Sequence, residues 1–271
     1  MNLIRCILGA NDCFKAGKFI KPKGVMIHST GANNPMLRRY VQPMRGYADY
    51  AKLMALLGDN PNDNDWNRPG LKVCVHGFIG KLADGTVATI QTLPWNMFGW
   101  HAGTGTSGRS ANNTHISFEI CEDGLDDRKY FEAVYREAVE LTAMLCLEYD
   151  LDPMKPGVVI CHSEGYKRGV ASGHADVMHW FPKHGKDMDD FRKDVALEME
   201  EQSMTQEKFN EMMAVYLAQQ AKKAPSAWSA KARAWAEKLG IVKGTGSQLE
   251  YKRPVTREEV AEMLYRFSQS N

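Results

Sequence analysis

Two short apolar runs that each end in a histidine constrain the fold of this chain most. They cover Val25–His28 and Val158–His162, and Asp176 follows the second histidine by 14 residues. Runs of this kind are typical of buried strands, so we expect both histidines at the rim of a buried sheet. Two neutral imidazoles and one carboxylate are a common ligand set for a catalytic Zn²⁺, which leaves a fourth position open. For either histidine alone, an ordinary polar residue at a strand end is the alternative.

Length and composition limit the class of protein. The chain has 271 residues, 44% hydrophobic and 25% charged, with a net charge of +1. This balance gives no reason to expect nucleic acid as a partner. No apolar stretch reaches the roughly 18 residues of a membrane-spanning helix, so we expect no membrane insertion. Arg5 interrupts the N-terminal apolar run, which is too short for a signal peptide. We therefore expect synthesis in the cytoplasm, with release by another agent if the substrate lies outside.

The cysteines predict no disulfide framework. No pair is spaced C-x-x-C, and three of the six, Cys74, Cys121 and Cys161, lie in apolar runs. A cysteine in such a run behaves as a small buried hydrophobe. We expect all six to be reduced, which agrees with synthesis in a reducing compartment.

The chain changes character near residue 200. Strand-like and helix-like segments alternate before this point, and the rest is helical in pattern. Residues 203–271 hold 11 Lys and Arg against 7 Asp and Glu, a net charge of +4, whereas the first 202 residues hold 23 basic and 26 acidic side chains, a net charge of −3. An acidic part joined to a basic part suggests separate tasks. We predict one domain over residues 1–202 and a small all-α module over residues 203–271.

The first domain is predicted to have an α/β fold in which helices cover a mixed central sheet. Strands are predicted at 24–28, 73–80, 86–91, 115–121 and 157–161, and helices at 36–57 and 131–149. Asp84-Gly85 is a turn signal between the second and third of these strands and predicts a hairpin. Residues 58–70 are rich in Asn, Asp, Pro and Gly and are expected to form a surface loop.

A glutamate interrupts the predicted strand at 115–121. Strand side chains alternate between the two faces, so Ile116, Phe118 and Ile120 share one face, and Glu119 lies on the other with His115, Ser117 and Cys121. A carboxylate in a buried strand is unfavourable unless it is paired, and a metal-bound water would be a suitable partner. The alternative is a glutamate on a solvated sheet face.

Aromatic and small residues follow the predicted hairpin. The segment Trp100–Gly103 (Trp-His-Ala-Gly) precedes a loop rich in Gly, Ser and Asn that runs to Asn113. Aromatic faces pack against sugars, and glycine allows the backbone to approach a ligand closely. We predict that Trp100, His101 and His76 line a sugar or peptide groove. For Trp100, packing in the core is the alternative.

Several segments, taken in order, resemble one enzyme family. They are His28-Ser29-Thr30, Val75-His76-Gly77-Phe78-Ile79 with Asp84-Gly85-Thr86-Val87, Trp100-His101-Ala102-Gly103, Ile116-Ser117-Phe118-Glu119, and Cys161-His162-Ser163-Glu164 with Ala175-Asp176. The series resembles the zinc-dependent N-acetylmuramoyl-L-alanine amidases, the type-2 amidase family that includes phage endolysins and peptidoglycan recognition proteins. The resemblance covers about residues 20–195. It implies that His28, His162 and Asp176 hold Zn²⁺ and that Glu119 is the catalytic glutamate.

The chain departs from the family pattern at three places. Many members have a tyrosine where this chain has Val75, and many have a lysine two residues before the third ligand, where this chain has His174. The separation of 14 residues between the second and third ligands is longer than in compact members. His174 and His179 therefore compete with Asp176 for the third ligand position, and His101 is a weaker candidate.

The resemblance implies hydrolysis of the amide between the lactyl group of N-acetylmuramic acid and L-alanine. Zinc lowers the pKa of a bound water and polarises the carbonyl. Glu119 then takes the proton of the water and passes it to the leaving amine, and His174 donates a hydrogen bond to the oxyanion. Such an enzyme would degrade peptidoglycan as a phage or prophage endolysin or an autolysin. Two alternatives stay open, a non-catalytic peptidoglycan-binding protein of the same fold and a zinc hydrolase that acts on another amide.

The C-terminal module has a motif of its own. Helices are predicted over residues 204–221, from Trp228 to a stop at Gly240, and after Thr256, where Glu259 completes a capping box. The Trp-Ala, Gly-Ile-Val-Lys-Gly and Val-Thr-Arg-Glu-Glu segments resemble a single S-layer-homology repeat. Such repeats bind anionic cell-wall polymers, usually in sets of three. The resemblance implies attachment to an anionic wall polymer. A helical cap or a homo-oligomerisation element is the alternative.

Overall fold

The structure is a computed structural model that describes residues 1–244 and 249–270, without the side chains of residues 203–206. The chain divides into two compact units, Met1–Glu201 and Gln202–Asn271. Within the described residues, no helix is long and apolar enough to cross a membrane. All six cysteines are buried and free of disulfide bonds.

The described part of the first unit contains a six-stranded sheet. Its strands are β1 (Leu3–Arg5), β2 (Gly24–Ser29), β3 (Gly77–Lys81), β4 (Val87–Gln91), β5 (His115–Ile120) and β6 (Val159–Cys161). Their order across the sheet is β1-β4-β3-β5-β2-β6. The β3–β4 pair is antiparallel and every other neighbouring pair is parallel. The sheet is therefore mixed, and the predicted fold class is confirmed.

Helices lie before, between and after the strands in the described part of the chain. They are α1 (Asp12–Lys15), α2 (Tyr50–Leu57), α3 (Arg128–Glu148), α4 (His162–Lys167), α5 (Met188–Ala221), α6 (Ala230–Lys238) and α7 (Arg257–Gln269). Helix α3 is the longest helix that lies wholly within the first unit. It begins after Asp127, whose side chain accepts hydrogen bonds from the N–H groups of Lys129 and Tyr130. Its buried face includes Val134, Ala138 and Leu141 and packs on the sheet. This face follows the predicted helical periodicity.

The hairpin between β3 and β4 forms at the predicted turn. Gly85 has a φ of +86°, and Asp84 accepts a hydrogen bond from Thr86 N–H at 2.9 Å. Leu82 N–H donates to Thr86 O at 2.8 Å and closes the turn. A positive φ of this kind favours glycine, which explains the Asp-Gly pair.

The central strands β2 and β5 are buried on both faces. Val25 is the register neighbour of Ile116, and Ile27 that of Phe118, and these four side chains belong to the core under α3. On the opposite face, His28 is the register neighbour of Glu119. Because the two strands are parallel, this pair lies side by side near their carboxyl ends, where ligand sites form in sheets of this kind.

Helices α1 and α4 were not predicted, α5 begins at Met188 and not at residue 204, and three further differences concern the sheet and the predicted helix over 36–57. Residues 73–76 are not part of β3, because Cys74 N–H bonds to Trp100 O and His76 N–H to Ser117 O outside the regular ladder. The predicted helix over 36–57 is a 3₁₀ turn (Leu37–Arg39) followed by α2, with Gly46 at a φ of +92° between them. Strand β1 was not predicted, since three residues are too few to show a period.

The described part of the second unit is helical. The capping box of α7 is present, because Thr256 accepts from Glu259 N–H and the Glu259 carboxylate accepts from Thr256 N–H. Gly240 follows α6 with a φ of +67°, which agrees with the predicted helix stop. The Trp235 and Phe267 rings lie 5.7 Å apart. Trp228 is 87% exposed, so this unit presents an aromatic side chain to solvent.

Candidate active site

An open cavity of about 390 Å³ lies at the carboxyl ends of β2 and β5. Most of the residues singled out from the sequence line it: His28, Trp100, His101, Glu119, His162, His174 and Asp176. The fold therefore brings together side chains that are up to 148 residues apart in the chain, as His28 and Asp176 are.

Three side chains converge in this cavity through one atom each. His28 Nδ1 lies 3.1 Å from His162 Nδ1 and 3.3 Å from Asp176 Oδ2. His162 Nδ1 lies 3.2 Å from the same carboxylate oxygen. The three atoms thus form a nearly equilateral triangle, which we call the donor triangle. Among the described residues, this group has its ligand atoms close enough together to hold a metal ion.

Local structure fixes each corner of the donor triangle. His28 is the fifth residue of the buried strand β2. His162 opens α4 directly after β6, and this junction is held by Glu164, whose carboxylate accepts from Cys161 N–H and from Arg192. Asp176 precedes the fully buried Val177, which anchors its loop in the core. A strand, a helix start and an anchored loop therefore converge on one point.

The ionisation of the donor triangle suits a cation. Burial lowers the pKa of His28, although the hydrogen bond to Asp176 opposes this effect, so the imidazole is neutral near pH 7. Burial works against ionisation of Asp176, but hydrogen bonds from His162 and His28 outweigh it and lower the pKa of this carboxyl group. A neutral imidazole and a carboxylate are the forms in which these side chains bind metals.

The competing histidines lie elsewhere. His174 Nδ1 is 3.3 Å from Nε2 of His162, the ring nitrogen that points away from the donor triangle. His179 Nε2 is 2.8 Å from Glu122 Oε1, and neither residue lines the cavity. Among the three candidates for the third corner, the structure brings Asp176 into the triangle.

Glu119 lies beside the donor triangle on the same sheet face. Its Oε2 atom is buried and has no hydrogen-bond partner among the described residues. Burial raises the pKa of Glu119 well above its ordinary value, and the nearby carboxylates of Asp176 and Glu122 add to the shift. A carboxyl group with a raised pKa and a free oxygen in a cavity is suited to accept and return a proton.

The three residues predicted to line a groove have different positions. Trp100 is 47% exposed and forms part of the cavity wall. His101 lines the cavity but turns its Nδ1 to His28 Nε2, at 3.0 Å. His76 is not on the wall. It is fully buried, it accepts from Ser117 N–H at Nδ1, and it donates from Nε2 to Met97 O. Burial also lowers the pKa of His76 to about 4. We therefore correct its position to the core beneath the site.

Two further residues of the site were not singled out from the sequence. Ser172 Oγ lies 3.3 Å from His162 Nε2, and Asn112 Oδ1 accepts the N–H groups of His101 and Ala102. Serine and asparagine in loops have no periodicity that marks them. Ser172 follows His162 by ten residues, and this spacing alone does not predict that the two side chains meet.

Comparisons with known proteins identify a family and related chains. A family model described as N-acetylmuramoyl-L-alanine amidase matches residues 18–183. A protein from Bacillus sp named N-acetylmuramoyl-L-alanine amidase CwlA is 40% identical over 62 residues, which are 23% of this chain and 24% of that protein. The match thus spans about a quarter of that relative's length.

Solved structures with a related chain trace were also found. A mutant endolysin from Bacillus subtilis has a TM-score of 0.47 and 22% identity, covering 72% of this chain and 99% of that one. The Staphylococcus aureus hydrolase AmiA, in complex with its ligand, has a TM-score of 0.45 and 18% identity, covering 67% of this chain and 78% of that one.

Proposed function

The chain belongs to the N-acetylmuramoyl-L-alanine amidase family, and from this premise we propose that it is a zinc-dependent peptidoglycan hydrolase. The bond that it cleaves is the amide between the lactyl group of N-acetylmuramic acid and L-alanine of the stem peptide. The observation that carries this proposal is the donor triangle of His28, His162 and Asp176 with Glu119 on the same sheet face.

Zn²⁺ fits the donor triangle by chemistry and by size. Two imidazole nitrogens and one carboxylate oxygen form a common set of protein ligands for catalytic zinc. A tetrahedral ion with bonds of about 2.05 Å holds its ligand atoms roughly 3.3 Å apart. The three separations in this protein are 3.1, 3.2 and 3.3 Å. We therefore infer that these residues hold one Zn²⁺ without rearrangement of the backbone.

The remaining side chains supply proton transfer and binding. A zinc ion at this position supplies a Lewis acid that polarises the scissile carbonyl and makes a water more acidic. Glu119 accepts the proton of the attacking water at Oε2 and delivers it to the nitrogen of the leaving L-alanine. His174 lies on the cavity wall and donates a hydrogen bond to the carbonyl oxygen as charge develops there. Trp100 packs against the sugar or the peptide of the substrate.

The proposal is tested on purified cell walls, with and without a zinc chelator. We expect the protein to release new amino-terminal alanine without new reducing sugar ends, and we expect the chelator to stop the release until Zn²⁺ is restored. New reducing ends would identify a glycosidase. Wall binding without any release would identify the non-catalytic alternative. If the protein cleaves other amides but not muramyl peptides, it is a zinc hydrolase that acts on another substrate.

We further propose that residues 203–271 attach the enzyme to an acidic polymer of the cell wall, as expected for an endolysin or autolysin. The net charge of +4 in this segment supports the proposal. An alternative task is self-association, since Phe209, Met212 and Tyr216 are all more than half exposed along α5. Neither task requires a residue of the cavity.

A chain that ends at Gln202 tests both tasks. We expect it to stay folded and zinc-loaded and to cleave soluble muramyl peptides at the rate of the full chain, because every residue of the donor triangle lies upstream. Its affinity for intact walls should fall, and the difference should shrink as salt rises, since the Debye length is about 10 Å at 0.1 M ionic strength. Sedimentation of wall fragments measures the affinity, and light scattering measures the mass. Unchanged affinity together with unchanged mass would contradict both tasks.

A further inference from the structure

The ring of His28 is held at both of its nitrogens. Nδ1 is a corner of the donor triangle, and Nε2 lies 3.0 Å from His101 Nδ1. The two rings meet edge to face, with centroids 5.1 Å apart and planes at 75°. Since His28 is only 1% exposed, solvent has little access to this ring.

The direction of this second hydrogen bond follows from the first. An imidazole that offers Nδ1 to a cation carries its remaining proton on Nε2, so His28 donates and His101 accepts at Nδ1. His101 must then have its own proton on Nε2, an atom that is buried and has no hydrogen-bond partner among the described residues. With an ion bound at Nδ1, this hydrogen bond would hold both the tautomer and the rotation of the His28 ring.

The backbone around His101 is itself clamped. Asn112 Oδ1 accepts the N–H of His101 at 2.9 Å and the N–H of Ala102 at 2.7 Å. Cys74 N–H donates to the carbonyl of Trp100 at 3.1 Å. Asn112 is 3% exposed, so these bonds are largely shielded from water. His101 is therefore presented to His28 by a rigid segment.

The same segment also supports the second imidazole of the triangle. Ser172 Oγ lies 3.3 Å from His162 Nε2 and donates to Ala102 O at 3.2 Å. A Cβ atom at the neighbouring Gly103 would lie 2.9 Å from Ser172 Oγ, and Gly103 has a φ of +64°. A side chain at this position would displace the serine, which gives a physical reason for glycine there.

From these contacts we infer that His101 is a positioning residue of the metal centre, and not a residue that binds substrate. It accepts the proton of His28 Nε2 and thereby holds Nδ1 of His28 toward the ion. Partners of this kind commonly contribute about 10- to 100-fold to metal affinity. The inference rests on the proposed zinc centre and adds to it the role of the Trp100–Gly103 segment.

The test compares two substitutions at one position in the full-length chain. His101→Phe keeps a ring but has no acceptor, whereas His101→Asn keeps an acceptor, because its Oδ1 takes nearly the place of Nδ1. We expect His101→Phe to weaken Zn²⁺ binding by about 10- to 100-fold and His101→Asn to stay within a few-fold of the unsubstituted protein. The dissociation constants are measured by competition with a chromophoric chelator, and the visible spectrum of the Co²⁺-loaded proteins reports the geometry at the ion.

His184→Phe is the matched control for the loss of a partly buried hydrogen bond. His184 bonds to Leu125 O and stacks on Phe131, and it does not line the cavity. This variant should bind Zn²⁺ as the unsubstituted protein does. If His101→Phe does not fold, His101→Leu replaces it, since leucine matches asparagine in shape and has no acceptor.

Three outcomes would overturn the inference. Unchanged Zn²⁺ affinity and an unchanged Co²⁺ spectrum in His101→Phe would remove any role at the metal. An equal loss in His101→Asn and His101→Phe would mean that the ring packs and does not accept a proton. Failure of the unsubstituted protein to bind Zn²⁺ would refute the proposed zinc centre itself, which is a distinct result.

Discussion

Replacing His28 by alanine is expected to abolish stoichiometric Zn²⁺ binding and wall hydrolysis together. In the proposed centre the imidazole of His28 is one of three protein ligands, and it is buried on strand β2. Metal-ion catalysis contributes several kcal/mol to a hydrolysis, and each 1.36 kcal/mol is a factor of ten, so the rate should fall by at least about a thousandfold. Metal content is measured by atomic absorption after gel filtration, and the rate on soluble muramyl peptides.

Parallel substitutions test which residue is the third ligand. Asp176→Ala should lose the metal, whereas His179→Ala should keep it because its nitrogen pairs with Glu122. His174→Ala should also keep the metal and lose only part of the rate, since His174 meets His162 at the nitrogen outside the donor triangle. Metal retained in Asp176→Ala but lost in His174→Ala would reverse the assignment. Stoichiometric zinc in His28→Ala would remove the proposed centre altogether.

The central sheet could be predicted because its physical signal is local. A buried parallel strand needs a short continuous apolar run, and Val25–His28 and Val158–His162 provide one each, with a histidine at the end. The alternation within His115–Ile120 predicted that Glu119 lies on the sheet face opposite to Ile116 and Phe118. In the structure, the side chains of Ile116 and Phe118 lie in the core under α3. Local patterns in the sequence thus predicted which strand residues face the core and which lie at the edge of the sheet.

The direction of individual ring nitrogens could not be predicted in the same way. His76 and His101 both lie between an apolar residue and a small one, in Val-His-Gly and Trp-His-Ala. In the structure, however, His76 bonds to Met97 O in the core, whereas His101 contacts the ring of His28. Likewise, the 14-residue separation of His162 and Asp176 does not predict whether Asp176 or His174 completes the donor triangle, and in the structure Val177 is buried directly after Asp176. These outcomes depend on how loops close over the sheet, which leaves no period in the sequence.

Glu119→Gln is expected to retain the fold and the zinc while the rate falls by about a hundredfold or more, the usual contribution of a general acid or base. Glutamine has the size and shape of glutamate, and Glu119 Oε2 forms no hydrogen bond within the described residues that an amide would break. The amide cannot take up the proton of the attacking water, so the loss should lie in kcat, with KM nearly unchanged.

Glu137→Gln provides the matched control for this prediction. Glu137 is also buried, and it accepts from Asn2 N–H and Thr89 Oγ1 on the α3 side of the sheet, away from the cavity. Its replacement should lower the stability toward unfolding but leave kcat intact.

A zinc ion held by the donor triangle would oppose the effect of burial, which raises the pKa of Glu119, because a nearby cation favours the carboxylate. Normal turnover in the Glu119→Gln protein would assign the proton transfer to His174 instead.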